Sequence, residues 1–65
     1  MSILNENYDV RWRVAQNPNT PQETLNLLAT DEDSDVRWGV ARNPNTPENI
    51  ILKIKSYEKF RHLTK

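Results

Sequence analysis

Cysteine is absent from this chain of 65 residues, glycine occurs once, at Gly39, and all four prolines fall inside two copies of one string, NPNTP. Without a thiol there is no disulfide, no thiolate metal site and no cysteine nucleophile. The one histidine, His62, has no HxxxH or HxxE partner, so neither a metal nor any other cofactor is expected. A Gly-rich phosphate loop is missing, and so are the usual β-hairpin signals. No nucleophile–base pair or pocketed carboxylate pair stands out, so the chain is expected not to be an enzyme. No apolar run approaches the ~20 residues of a membrane span. The opening MSILNENYD has neither a basic segment nor an apolar run of signal-peptide length. A cytoplasmic protein with no membrane partner is the expectation. The initial Met and a capping C-terminal helix add the expectation of a whole protein.

What the chain does have is repetition. Residues 9–21 read DVRWRVAQNPNTP and residues 35–47 read DVRWGVARNPNTP, a spacing of 26; only Arg13/Gly39 and Gln16/Arg42 differ. A period in the range of 20–50 residues marks an architecture in which units stack to bury a shared core. The chain reads as a single domain, 1–65, with repeat one at 5–30, repeat two at 31–56 and a C-terminal extension at 57–65. A chain this short buries only roughly 60% of its unfolded surface, so tight packing or a partner must supply the stability.

Helices are the natural reading. The Asn before each first proline is pushed towards extended geometry, which stops the preceding helix. Thr20 and Thr46 then stand at the N-cap position with Pro21 and Pro47 in the first turn, and Glu23 completes a capping box with Thr20. The helix after Thr20 carries Leu25 and Leu28 on one face, with Leu27 near its edge. The helix after Thr46 carries Ile50, Ile51, Ile54, Tyr57, Phe60 and Leu63 at spacings of three and four and is expected to run longer as a cap. The other element of each unit spans about Tyr8–Gln16 and Ser34–Arg42, either α or 3₁₀. Asp9 and Asp35 lie in its first turn, Ser34 is a candidate cap, and the pairs Val10/Val14 and Val36/Val40 point one way. Residues 1–4 are left as the remnant of an earlier helix.

The motif D-V-R-x-x-V-A-x-N-P-N-T-P, twice in register and followed by Leu-x-x-Leu-Ala, resembles the leucine-rich repeat variant family and, more loosely, HEAT-like repeats. The resemblance covers roughly residues 5–56. It implies an all-α, short right-handed α-solenoid of two repeats. Each would be a short α or 3₁₀ helix, the NPNTP turn and a longer α-helix, with a C-terminal capping helix. It implies a concave face, and little about function, because such solenoids are mostly scaffolds and adaptors. The repeat is a little longer than the family's usual length. The cysteine-ligated iron–sulfur cluster of some members has no ligands here.

Trp12 and Trp38 are the sharpest binding candidates. Each lies two positions from both valines of its helix and so points away from their stripe, and an exposed Trp is an expected interface anchor. The alternative is that both rings fold down to seal the groove between units. Arg11 and Arg37 could grip a carboxylate or phosphate on a partner, or form an inter-unit ladder in which Arg11 pairs with Asp35 and Arg37 packs at the edge. Arg13 and Arg42, the charges that do not repeat, complete the partner-binding set, with a solvated face as their plainer reading. Asn17, Asn19, Asn43 and Asn45 read as turn formers. Asp31, Glu32, Asp33 and Asp35 are faintly like a calcium loop but lack its glycine and its closing Glu.

Net charge is zero and the pI is near 6.6, but residues 1–34 carry −4 and residues 35–65 carry +4. Lys53, Lys55, Lys59, Arg61, His62 and Lys65 make a basic C-terminal end that could meet nucleic acid, although the pI falls short of a basic footprint. That end could also meet the acidic face of another copy, head to tail, giving a homo-oligomer. The leading expectation is a protein–protein interaction module, an adaptor or inhibitor, using Trp12, Trp38, Arg11 and Arg37. A nucleic-acid-associated protein and a self-assembling unit are the alternatives.

Overall fold

A 3₁₀ turn at Ile3–Asn5 opens the chain in a computed structural model that describes residues 2–60. Four helices follow: α1 (Tyr8–Gln16), α2 (Gln22–Leu28), α3 (Ser34–Arg42) and α4 (Glu48–Phe60). No strand occurs among the described residues. The result is a short all-α repeat fold, and the first helix of each unit is α-helical throughout. The only 3₁₀ turn among the described residues lies where the remnant of an earlier helix was expected.

Local chemistry sets the boundaries of α1 and α3. The Asn7 side chain accepts a hydrogen bond from the Val10 N–H at 3.2 Å and caps α1. Asp33 does the same for α3 through the Asp35 N–H at 2.9 Å, so Ser34 is the first helical residue rather than the cap. Both helices stop at the Asn before a proline, Asn17 and Asn43, whose ψ angles of 121° and 127° are extended.

Two expectations at the NPNTP turns are corrected. Thr20 does not cap α2, and no capping box with Glu23 forms; Pro21 is the cap residue and makes no side-chain cap bond. The Thr20 hydroxyl turns back and donates to the Val14 carbonyl at 2.6 Å, and Thr46 donates to Val40 at 2.7 Å. The physical reason is supply. The i+4 residues that would serve the Val14 and Val40 carbonyls are Pro18 and Pro44, which have no N–H, so each carbonyl takes the cap asparagine N–H, at 3.3 and 3.1 Å, and the threonine hydroxyl. The second helix is also not the longer one in both units. α2 has 7 residues and α4 has 13, because the polar run TDEDS stops α2 and nothing similar interrupts α4.

The core is built from Ala15, Leu25, Leu28, Ala29, Val36, Val40, Ile50 and Ile54, with Ile3, Trp12, Val14 and Ala41 packed against it. Each large aliphatic side chain buried this way contributes about 1.5–3 kcal/mol. Leu27 stays at the rim as expected, and Phe60 is exposed rather than part of the core stripe. Leu63 lies outside the described residues.

α1 and α3 form the main contact between the units. They approach so closely that a Cβ on Gly39 would stand 3.1 Å from the Ala15 Cβ and 3.2 Å from the Gln16 Cγ. Glycine is favoured by this approach, since a Cβ would need its neighbours to give by a few tenths of an ångström, and not by an unusual backbone angle. Beside it, the buried Asn43 side chain donates to the carbonyls of Ala15 and Asn17, both at 2.8 Å, and Asn45 donates to Thr20 at 2.7 Å. The second asparagine pair is thus both turn former and rivet.

Two outcomes follow in thermal unfolding read by circular dichroism. Gly39→Arg, which restores the residue of repeat one, should cost roughly 3 kcal/mol or more by overpacking. Asn43→Ala should cost about 2 kcal/mol by orphaning buried carbonyls, whereas Asn17→Ala, at an exposed position, should cost well under half as much.

Candidate interaction surface

The arginines of the two DVR blocks are internal. Arg11 is 9% exposed and Arg37 is 2% exposed. Arg11 Nε and Nη2 donate to the Asp31 carboxylate at 2.8 and 3.3 Å, and Nη1 donates to the Glu6 carbonyl at 2.6 Å. Arg37 repeats the plan one unit on: Nη1 reaches the Asp31 carbonyl at 2.6 Å and Nε the Glu58 carboxylate at 3.0 Å, with the Tyr57 ring 5.2 Å from the guanidinium carbon. Each arginine ties the start of its own unit to an acid near the end of the second helix: Asp31 just beyond α2 and Glu58 in the last turn of α4. The inter-unit ladder is therefore right in kind, but the acid is Asp31 rather than Asp35. With their side chains covered and held by these bonds, Arg11 and Arg37 do not present a guanidinium to a partner.

Asp35 takes a different partner, the Tyr8 hydroxyl at 3.1 Å. That phenol is held above its ordinary pKa of 10.0, first by partial loss of hydration, then by the bond to Asp35 and the negative charges of Asp35, Asp33 and Asp9. It stays a donor at neutral pH and pins the start of α1 to α3.

The two tryptophans part company. Trp12 is half-buried and packs against the core, whereas Trp38 is 53% exposed. Arg42 lies over the Trp38 ring, 4.8 Å from its centre. It has no carboxylate partner among the described residues. Both Trp rings line one open groove of about 630 Å³, together with Tyr8 from α1, Asp35 from α3, and Ile54 and Glu58 from α4. Arg13 is elsewhere: it projects from the far side of α1, 73% exposed, in an i, i+4 pair with Asp9 at 3.3 Å.

The DVRWRVAQNPNTP block and its buried arginine lie in the segment that matches a known family, leucine rich repeat variant, over residues 8–33. Residues 8–33 are similar to a leucine rich repeat variant unit. The match spans one full period of the repeat and fewer than half of the residues, and it supports the resemblance read from the motif. No curated protein and no solved structure matches the chain.

Outside its groove, the chain does not gather a basic patch among the described residues. Lys53 is committed to α2, where it donates to the Asn26 side chain at 2.9 Å. Lys55 and Lys59 share a different face of α4, and Lys59 lies 5.4 Å from the Phe60 ring. Arg61, His62 and Lys65 lie outside the described residues. The acidic run is likewise dispersed: Asp31 is in the Arg11 pair and Asp33 caps α3. No three potential ligands group for a metal among the described residues, and no described helix is long and apolar enough to cross a membrane.

Tyr8, Ile54 and Glu58 were not among the sequence candidates. Tyr8 falls outside the thirteen-residue match, and the α4 residues reach the groove only because α4 folds back on α3. No sequence signal pointed to them.

Denaturant unfolding separates the two kinds of arginine. Arg11→Met should lower stability by about 3 kcal/mol, because Asp31 is left charged and covered without its partner. Arg13→Ala should change it by under about 0.5 kcal/mol, as expected for an exposed pair.

Proposed function

We propose that this chain is a non-enzymatic, cytoplasmic interaction module, an adaptor or inhibitor, that binds a partner protein through the groove between α1, α3 and α4. One observation carries the reading: Trp38 is half exposed, stacked with an unpaired Arg42 and set beside the second tryptophan in a single groove. Tryptophan and arginine are the residues most often found as interface anchors, because one offers a large rigid apolar face and the other a planar donor fork. The family match to a repeat unit supports an interaction role at the coarser level. The partner segment that suits this pair places an apolar side chain against the indole and a carboxylate within reach of Arg42. Trp12 shapes the groove from below, and Arg11 and Arg37 hold its walls.

Capture from a lysate treated with nuclease provides the test, with wild type beside Trp38→Ala and Arg42→Gln. Trp38→Ala should weaken retention of a protein partner by about 30-fold, the scale of an anchor worth about 2 kcal/mol, and Arg42→Gln by less. Far-ultraviolet circular dichroism should be unchanged in both. Retention that ignores both substitutions sinks the groove reading. Retention that disappears with nuclease shifts the assignment to nucleic acid.

A further inference from the structure

Translation by one repeat maps α1 onto α3, and comparing equivalent positions shows which faces are left open. On the side of α3 that meets α1, Val36, Gly39, Val40 and Asn43 are all buried. Their counterparts on the outer side of α1 are less covered: Val10 and Val14 are half-buried, and Arg13 and Asn17 are exposed. At the other end, Ala15 is fully buried and Trp12 half-buried, whereas Ala41 is half-buried and Trp38 exposed. The outer faces of α1 and α3 thus repeat the two sides of the interface between them. Exposed faces of this kind invite head-to-tail stacking of copies of this chain, which does not close and yields filaments.

The two positions at which the thirteen-residue blocks differ both lie at that interface. Inside the chain the apposed residues are Gly39 on α3 and Ala15 with Gln16 on α1. In a second copy stacked in the same register, Arg13 would stand where Gly39 stands, against Ala41 and Arg42 of the first copy. Even a single Cβ meets Ala15 at 3.1 Å in the existing contact, and the Ala41 Cβ is likewise fixed by its backbone and unable to swing away. Arg42 adds a like charge at the same place.

We propose that Arg13 and Arg42 close the array. The outer face of α3 is shaped for a further repeat helix that carries glycine at the Gly39 position, and Arg13 bars a second copy of this chain from that face. The repeat thereby keeps its stacking geometry without stacking on a second copy of this chain through that face. Opposite end charges, which by themselves favour head-to-tail contact, are overridden at the point of closest approach.

Sedimentation across a wide concentration range tests this with wild type, Arg42→Gln, Arg13→Gly and Arg13→Gly/Arg42→Gln. Wild type and Arg42→Gln should stay at 7.7 kDa, and the two variants with glycine should rise to at least twice that mass as concentration increases, the double variant at the lower concentration. In a Trp12→Phe background, the emission of Trp38 should shift to the blue on association, because stacking gives it the cover that Trp12 has. Adding Ala41→Arg should return the double variant to monomer. Should the glycine variants fail to fold, Arg13→Ala/Arg42→Gln keeps a helix-favouring residue and should associate in the same direction more weakly. A folded double variant that remains monomeric throughout overturns the proposal. So does association that survives Ala41→Arg, or wild type that already stacks through this face.

Discussion

The close approach of α1 and α3 is the constraint on which the rest of the molecule depends. Two helices come this near most readily where one of them has no side chain, and Gly39 meets that condition against Ala15, where a Cβ would stand at a tight 3.1 Å. Once the backbones are this near, the terminal carbonyls of α1 lie within reach of the Asn43 amide, which satisfies two of them at 2.8 Å. The same geometry shields Val36 and Val40 completely. In a chain this small, with no disulfide or metal to lean on, such close packing is the main source of stability available.

Around that contact, polar groups do structural work that is easily mistaken for binding chemistry. The two buried arginines each link a backbone carbonyl at the start of their unit to a carboxylate at or just past the end of its second helix. A guanidinium suits this because its fork can serve several acceptors at once while remaining charged. The threonines of the NPNTP turns return their hydroxyls to the preceding helix instead of starting the next one. No buried side-chain polar atom among the described residues lacks a partner, as expected where an orphaned group would cost as much as a sizeable part of the whole stability.

Exposed chemistry is concentrated where the two blocks differ in surroundings. Identical residues at equivalent positions are packed differently: Trp12 is half-buried against the core, whereas Trp38 is exposed and carries Arg42 over its face.

Helical class, period, helix ends at NPNTP, the burial of Leu25, Leu28, Val36, Val40, Ile50 and Ile54, and the resemblance to leucine rich repeat variants were all legible in the sequence. These follow from local rules: proline geometry, apolar spacing and a recurring motif. Three things were decided only by tertiary structure. The thread from Arg11 went to Asp31 and not to Asp35, because distance in space and not position in the motif selects an ion-pair partner. The asparagines of the second turn became inter-unit donors because a neighbouring unit brought free carbonyls to them. The two tryptophans, indistinguishable in sequence, were split into one half-buried and one exposed, since burial belongs to what packs against a residue and not to the residue itself.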